Sequence, residues 1–269
     1  MESEDRHVQL QGSSNLRDIG GYRTACGRRV RRGRVFRSGS LWGLTEADWG
    51  WMDATGFAVL CDLRSDAERD LAPAAWAVSK PPRQVDAIYD ARLLFDRSNR
   101  ELARGVGGLE ASLYATFAQL LAPSFKGLFQ ALANGDAPAI VHCTAGQDRT
   151  GLAVALLLGA LGVETDAIHA DYLLSTQLRR PAKEMDLDRL SDHADSNVVA
   201  AFYVDLIARK GADTFRPKSL VDDVGRPMVT VALAAIERQW GSVDAYLADQ
   251  LGMGPSELEA LRGHLLEPG

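Results

Sequence analysis

Ten consecutive residues, 142–151, read His-Cys-Thr-Ala-Gly-Gln-Asp-Arg-Thr-Gly and place five residues between Cys143 and Arg149. A cysteine thiolate can attack phosphorus, and a planar guanidinium can hold two phosphoryl oxygens at once. A tight loop that enters a helix supplies backbone N–H groups and a helix dipole, which both favour an anion. The segment predicts a cysteine-dependent phosphatase site, with Cys143 as nucleophile and Arg149 acting in binding and catalysis.

The neighbouring residues support this interpretation of residues 143–149, which we call the Cys143 loop. Residues 139–141 are apolar and predict a buried strand, while residues 152–158 are apolar on every side, as in a helix enclosed by a core. Gly146 allows backbone amides to converge on one point. We therefore expect the phosphate to be bound by Thr144, Ala145, Gly146 and Gln147.

Two flanking residues have expected supporting roles. Thr150 stands where its hydroxyl could donate a hydrogen bond to the thiolate, so it joins the expected substrate site. His142 is expected to shape the loop, because a thiolate that is already formed needs no base. The competing interpretation is an inert buried cysteine beside a surface arginine, since free cysteine commonly fills cores. The order of strand, glycine-bearing loop and buried helix favours the anion site.

Four further segments accompany the loop: Asn15-Leu16-Arg17-Asp18-Ile19-Gly20-Gly21-Tyr22, Arg37-Ser38-Gly39-Ser40-Leu41, Asp62-Leu63-Arg64-Ser65, and Tyr246-Leu247 with Leu251-Gly252. Together with residues 142–151 they resemble the bacterial atypical protein tyrosine phosphatases, whose loop usually reads H-C-x-x-G-K-D-R-T-G. This resemblance runs from about residue 15 to the end and implies a cysteine-phosphatase-like fold. Some members of that family act on phosphoinositides. Gln147 replaces the lysine of the family pattern, which argues against phosphoinositide binding.

A general acid must protonate the leaving oxygen, and an aspartate within hydrogen-bond reach can do so. Asp148 is the first choice, because it lies in the loop and the resemblance implies an essential aspartate there. Asp62 is the second, because it ends a predicted strand, where substrate-facing residues gather in open α/β sheets. A turn or helix-capping role is the alternative for Asp62. Arg64 is either a substrate ligand or the salt-bridge partner of Asp62.

Six arginines fall within ten residues: Arg28, Arg29, Arg31, Arg32, Arg34 and Arg37. Such a run could attract an anionic substrate or an acidic membrane surface. The alternation around Val30, Val35 and Phe36 favours a hairpin whose arginines face water. Arg37 is the exception, because the family resemblance implies that its segment lies near the phosphate pocket, where it would bind substrate.

The chain has 269 residues, of which 46% are hydrophobic and 25% charged, as in ordinary globular proteins. We expect a single phosphatase domain over residues 8–269. The net charge of −6 offers no overall attraction for nucleic acid. The acidic N-terminus lacks an apolar signal segment, and the longest apolar run, residues 152–163, is too short to cross a bilayer. A cytoplasmic protein without an integral membrane segment is expected.

The three cysteines, Cys26, Cys61 and Cys143, have no metal-ligand spacing, so we expect neither a metal nor another cofactor. They cannot all pair with one another, which suits a reducing compartment. Cys61 lies in a strand candidate and is expected to fill the core. The sequence carries no signal for an oligomeric state.

Strand candidates at Val35–Ser38, 57–63 and Ala139–His142 are separated by helical segments. This order predicts an α/β fold with a central, mostly parallel sheet flanked by helices. Thr45 and Asp48 form a capping box at the start of a helix that Gly56 can end.

The second half of the chain is expected to be mostly helical, including a helical C-terminal part. Helical spacing of apolar residues occurs at 198–209 and Val229–Trp240, and Ser256 with Glu259 predicts another capping box. Residues 177–228 carry many charges, prolines and glycines. We expect them to form either a helical lid over the site or a plain surface excursion.

The function that these patterns favour is metal-independent hydrolysis of phosphotyrosine through a phosphocysteine, with phosphoserine and phosphothreonine as further candidate substrates. Phosphoinositide hydrolysis is the main alternative. Arsenate reduction or sulfur transfer would also use a reactive cysteine in an anion loop, but arsenate reduction usually needs partner thiols near it. A catalytically inactive phosphate-binding module would not require the nucleophile. The expected partner is a phosphorylated protein or a phosphoinositide.

Overall fold

The computed structural model describes residues 6–74, 76–94 and 108–269. These residues contain seven β-strands: β1 (Arg17–Asp18), β2 (Arg28–Val30), β3 (Val35–Ser38), β4 (Val59–Asp62), β5 (Arg83–Gln84), β6 (Ala139–His142) and β7 (Leu266–Pro268). Five of them form a sheet in the order β1-β3-β6-β4-β5. Only the β1–β3 pair in this sheet is antiparallel, so the predicted mostly parallel sheet is confirmed.

Helices follow the strands along the chain and cover the sheet. The α-helices of the described residues are α1 (Glu46–Thr55), α2 (Asp66–Leu71), α3 (Gly108–Leu120), α4 (Ala122–Ala133), α5 (Asp148–Ala160), α6 (Thr165–Leu178), α7 (Asp188–His193), α8 (Val198–Lys210), α9 (Val229–Trp240), α10 (Val243–Asp249) and α11 (Pro255–Leu265). Short 3-10 helices occupy Ala91–Leu94, Pro181–Lys183 and Gly211–Phe215. The α/β class and the helical second half agree with the sequence.

The capping box predicted for α1 is present. The Thr45 side chain accepts from the Asp48 amide, and the Asp48 carboxylate accepts from the Thr45 amide. Gly56 ends the helix with φ 66°, a left-handed conformation that glycine adopts without a Cβ clash.

Alternate residues along each strand divide the core between the two faces of the sheet. Phe36, Leu60 and Ile140 pack on one face with the α1 residues Trp49 and Met52. On the other face, Val35, Val59, Cys61, Ala139 and Val141 pack with α3, α4 and α5. This alternation follows from the two-residue period of a strand. It also confirms that Cys61 is a core residue.

The central position of β6 determines where its loop emerges. His142 pairs with Ser38 at the end of β3 on one side and with Asp62 at the end of β4 on the other. The carboxyl ends of three parallel strands therefore meet immediately before Cys143. This edge is where ligands bind in open α/β sheets.

Two local predictions are wrong. Residues Arg28–Val30 do not form a hairpin with β3, because they pair instead with the C-terminal strand β7. The capping box at Ser256 and Glu259 is absent, because α11 begins earlier, with Gly254 at the N-cap and Pro255 in the first turn. The Ser256 hydroxyl bonds to the neighbouring Glu257 instead.

In the described residues, no helix combines the length and apolarity needed to cross a membrane.

Candidate active site

A pocket of about 370 Å³ opens over the Cys143 loop. Cys143 is only 2% exposed and contributes to its lining. The loop residues that line it are Cys143, Thr144, Ala145, Gln147, Asp148 and Arg149. The structure thus brings together most of the residues predicted to surround a phosphate.

Gly146 supports the loop from outside the pocket lining. Its φ is 66°, and an added Cβ would collide with the carbonyl oxygen of Ser38 and the amide nitrogen of Gly39. Helix α5 then starts at Asp148, so the loop leads into a helix N-terminus, as predicted. Left-handed and right-handed residues in succession form a concave amide surface that suits anions.

Arg149 is held by a buried carboxylate that the sequence interpretation missed. Its Nη1 and Nη2 donate to Glu68 Oε2 and Oε1, both at 2.6 Å. Nη1 also donates to the Tyr89 hydroxyl at 2.8 Å and the Leu63 carbonyl at 3.1 Å. Burial alone would lower the pKa of Arg149, but Glu68 holds that pKa well above its ordinary value.

Glu68 is positioned by the cap of its own helix. Ser65 and Glu68 form a capping box at the start of α2. The Thr144 hydroxyl donates to Glu68 Oε1 at 2.5 Å, which links the cap to the Cys143 loop. Burial alone would raise the pKa of Glu68, but Arg149 beside it lowers the pKa to about 2. The S-x-x-E pattern at 65–68 was the available signal for this residue.

Asp148 lines the pocket and is half-buried. Its Oδ1 accepts a hydrogen bond from the hydroxyl of Tyr114, a buried residue of α3. The Tyr114 hydroxyl lies 2.6 Å from that of Tyr172. Burial and the Asp148 carboxylate raise the pKa of Tyr114, so this tyrosine remains a donor at neutral pH. The contact orients the Asp148 carboxyl group.

Asp62 and Arg64 lie outside the pocket lining and bind each other. Arg64 Nε and Nη2 donate to the Asp62 carboxylate at 2.9 and 2.8 Å. Arg64 also donates to Ser40 Oγ and to the Ala72 carbonyl, and it is 2% exposed. Burial alone would raise the pKa of Asp62, but His142 and Arg64 hold it well below its ordinary value. This geometry favours the salt-bridge role for Arg64 and does not favour Asp62 as an acid.

The two residues adjoining the loop are also buried. Burial lowers the pKa of His142 to about 4, so this imidazole is neutral at physiological pH. The Thr150 hydroxyl has no hydrogen-bond partner within the described residues, so the expected bond to the Cys143 sulfur is not formed.

Arg37 is not brought to the pocket as a substrate ligand. It is fully buried, pairs with Asp171, and donates through Nη2 to the Gly146 carbonyl at 2.8 Å. The expectation failed because Asp171, on helix α6, is remote in sequence and draws the guanidinium beneath the loop.

Gln147 is buried, and its Oε1 accepts from Arg179 Nη1 at 2.7 Å. Arg179 lies just after α6, lines the pocket, and pairs with Glu184 at 2.6 Å. Burial alone would lower the pKa of Arg179, but Glu184 raises it above its ordinary value. The positive charge of Arg179 therefore lies beside position 147, where the family pattern carries lysine, and Glu184 pairs with that charge.

Residues 177–228 form one wall of the pocket. Phe202 and Tyr203 of α8 line it together with Phe215, whose ring stacks on Tyr203 with centroids 5.5 Å apart. Helix α3 contributes Tyr114 and Phe117 to the same lining. The pocket thus has aromatic walls above a polar floor.

Within the described residues, no cluster of three or more His, Cys, Asp or Glu could hold a metal ion. The three cysteines are free. Cys26 is exposed, whereas Cys61 and Cys143 are buried, and Cys61 does not line the pocket.

Comparisons with known proteins agree with the geometry. Residues 8–267 match the model of the family described as "Tyrosine phosphatase family". A protein of Cupriavidus necator named "Putative tyrosine-protein phosphatase" is 33% identical over 94% of this chain and 86% of its own length. The "Triple specificity protein phosphatase PtpB" of Mycobacterium tuberculosis is 29% identical over 96% of this chain and 98% of its own. A "Tyrosine-protein phosphatase" of Nostoc commune is 28% identical over 87% and 74%, respectively.

The Glu68 pKa predicts a stability change with pH. Because the folded-state pKa is about 2, below the ordinary 4.5, the ionised carboxylate stabilises the fold above pH 4.5 and loses this contribution as pH falls. Glu68→Gln should lower the free energy of unfolding at neutral pH by about 3 kcal/mol. The deficit should shrink as pH falls from about 5 to about 3, which urea unfolding at several pH values measures.

Glu237→Gln is the matched control, because Glu237 is exposed on α9. It should leave the free energy of unfolding nearly unchanged throughout this range. A Glu68→Gln deficit that stays constant with pH would show that the ionised pair is not its source.

Proposed function

We propose, from the premise that this chain belongs to the tyrosine phosphatase family, that it hydrolyses phosphotyrosine through a phosphocysteine formed on Cys143. The observation that carries the proposal is the arrangement of the loop: Cys143 lies at the floor of the pocket with Arg149 and Asp148 in the same lining. A pure phosphate-binding module would not need that nucleophile. No second cysteine lines the pocket among the described residues, which disfavours arsenate reduction.

In the first step, the Cys143 thiolate attacks phosphorus and an S–P bond forms as the bond to the tyrosyl oxygen breaks. Asp148, in its protonated form, transfers its proton to the leaving oxygen, which departs as neutral tyrosine. In the second step, water attacks phosphorus and Asp148 accepts its proton. The S–P bond then breaks, and phosphate and the thiolate are regenerated. One difficult displacement is thereby divided into two.

Arg149 supports both steps through the part of its guanidinium that Glu68 does not use. Glu68 binds Nη1 and Nη2 end-on. The hydrogen bonds described at Arg149 leave the Nε–H and one Nη2–H, a second edge with fork geometry. Such an edge can hold two equatorial phosphoryl oxygens and stabilise their charge in the transition state. Glu68 acts by orienting this edge.

The depth and walls of the pocket support phosphotyrosine as the substrate. Cys143 is 2% exposed, so the phosphoryl group must be carried well below the rim. A tyrosine side chain is long enough, and its ring can pack against Phe117, Phe202 and Phe215. Phosphoserine and phosphothreonine place the phosphate closer to the peptide backbone and lack a ring, so we rank them lower.

Phosphoinositides are the alternative substrates. The pocket lining includes Arg179, Arg216 and Lys218, which could attract additional phosphates. Gln147 carries no charge, however, and the charge of Arg179 is paired by Glu184. These two features favour singly phosphorylated substrates.

Cys143→Ser should reduce turnover of a phosphotyrosine peptide by more than about a thousandfold, since loss of a covalent nucleophile leaves only binding contributions. Binding of inorganic phosphate, followed by calorimetry, should remain measurable. The wild type should remain active when a chelator is added, which steady-state kinetics would measure. Substantial turnover by the serine variant, or a requirement for a divalent metal, would exclude the covalent mechanism.

Asp148→Asn should lower kcat for hydrolysis of a phosphotyrosine peptide by on the order of a hundredfold. For an aryl phosphate with a strongly stabilised leaving group, the same substitution should lower kcat by less than about tenfold. A good leaving group needs little proton donation. The measured quantity is the ratio of kcat for the two substrates, which does not depend on the active fraction. Asp62→Asn is the matched control and should leave this ratio unchanged; the opposite pattern would assign the acid to Asp62.

Gln147→Lys should raise kcat/KM on a bisphosphorylated inositol lipid by on the order of tenfold, as expected for one added contact between a charge and a phosphate. Activity on a singly phosphorylated peptide should change little. The gain should shrink at high salt because salt screens the attraction between the added charge and the phosphates of the approaching lipid. Gln147→Met, of similar length and uncharged, should show no gain. Strong lipid hydrolysis by the wild type, or equal effects on both substrates, would contradict the proposed preference.

A further inference from the structure

Three successive carbonyl groups of the Cys143 loop accept hydrogen bonds from the rest of the protein. The donors are Arg37 in strand β3, Ser40 just after β3, and Asn15 just before β1. The Thr144 carbonyl accepts from the Ser40 amide at 2.8 Å. The Ala145 and Gly146 carbonyls both accept from Asn15 Nδ2, at 3.1 and 2.8 Å. The Gly146 carbonyl accepts also from Arg37 Nη2 at 2.8 Å. All three carbonyl groups are thus engaged by the protein.

Peptide geometry converts this bonding into a direction for the amides. In a planar trans peptide the N–H of one residue points opposite to the carbonyl of the residue before it. The carbonyls of 144, 145 and 146 are drawn towards Ser40, Asn15 and Arg37, so the N–H groups of residues 145–147 are directed to the other side. Three aligned N–H groups are the donors that a phosphate requires.

Asn15 is itself held in one orientation. It has φ 58°, a left-handed conformation that asparagine tolerates better than most residues, and it is 1% exposed. Its Oδ1 accepts from Arg17 Nη1. Because an amide has one acceptor side and one donor side, this bond turns Nδ2 towards the loop carbonyls. Arg17 therefore fixes which way the Asn15 amide faces.

Asp171 of α6 links the two arginines beneath the loop. Its carboxylate accepts from Arg17 Nε at 3.0 Å and pairs with Arg37 Nη1. All three side chains are at most 1% exposed. Burial and the charge of Arg37 lower the pKa of Arg17 to about 10. Burial alone would raise the pKa of Asp171, but the two arginines hold it well below its ordinary value, so Arg17 and Asp171 remain charged at neutral pH.

The group of Asn15, Arg17, Arg37 and Asp171, which we call the carbonyl clamp, carries two positive charges and one negative charge. A buried charge acts through a medium that screens less than water. The excess positive charge lies on the side of the loop opposite the proposed phosphate position and favours an anion at that position.

We propose that Asn15 and Arg37 are positioning residues for catalysis: by holding the Ala145 and Gly146 carbonyls, they direct the loop amides to the phosphoryl group. This inference rests on the proposed function of the Cys143 loop. It assigns a role to the segment at residues 15–22 and to Arg37 that does not require either to touch the substrate.

The test replaces Asn15 in two ways. Asn15→Gly keeps the left-handed backbone accessible and removes the amide, whereas Asn15→Asp keeps the shape and replaces the donor by an acceptor. Both should lower kcat for a phosphotyrosine peptide by on the order of tenfold or more, because the amides lose their alignment. With Cys143→Ser as the parent, both should weaken calorimetric binding of inorganic phosphate by a similar factor.

Arg37→Lys and Arg37→Met provide a second route should the Asn15 variants fail to fold. The lysine keeps the charge and should recover part of the phosphate affinity that the methionine loses. Asn134→Gly, at an exposed asparagine after α4, is the matched control and should bind phosphate as the parent does.

A lower Tm with unchanged phosphate affinity and kcat in the folded variants would mean that the clamp is only structural, and would overturn the inference. This result is distinct from failure of the proposed function, in which Cys143→Ser itself would remain active.

Discussion

The proposed binding of phosphate by the N–H groups of the Cys143 loop requires the carbonyl groups of that loop to be bonded elsewhere, and much of this structure meets that requirement. Three consecutive carbonyls cannot be left buried without partners, since each would lose its hydrogen bonds to water. Ser40 supplies one donor because β3 lies beside β6 in the sheet. Asn15 and Arg37 supply the others. The sheet order and the segment before β1 thus have a direct chemical consequence at Cys143.

Charge around the loop is arranged in paired sets. Arg149 pairs with Glu68, Arg179 with Glu184, and Arg64 with Asp62. Unpaired buried charges are strongly destabilising, so each of these buried arginines needs a carboxylate counter-ion within the fold. At Arg149 this pairing is compatible with the proposed substrate binding, because the end-on Glu68 carboxylate leaves the other edge of the guanidinium group without a carboxylate.

Local sequence patterns were sufficient for the strands of the sheet, for the α1 cap, and for the glycine-bearing turn from β6 into α5, because each depends on residues close together in the chain. Contacts between distant residues were not predictable in the same way. Arg37 was expected at the substrate, since nothing near it in sequence reveals Asp171. Glu68 was missed although its S-x-x-E cap was legible, because its partner Arg149 lies 81 residues away. The partner of β2 likewise comes from the other end of the chain.

The short helix α2 packs against α7 and α8 and not against the two main cores. Its apolar residues Ala67 and Leu71 do not join the cores on the two faces of the sheet, but pack in a small separate cluster with Leu190 of α7 and Val199 of α8. Elements that share their own cluster can open as a unit at a lower free energy than global unfolding. Because α2 carries Glu68, the counter-ion of Arg149 belongs to this cooperative unit rather than to the sheet. The folding of α8 in the wall of the pocket and the pairing of Glu68 with Arg149 at its floor are therefore thermodynamically linked.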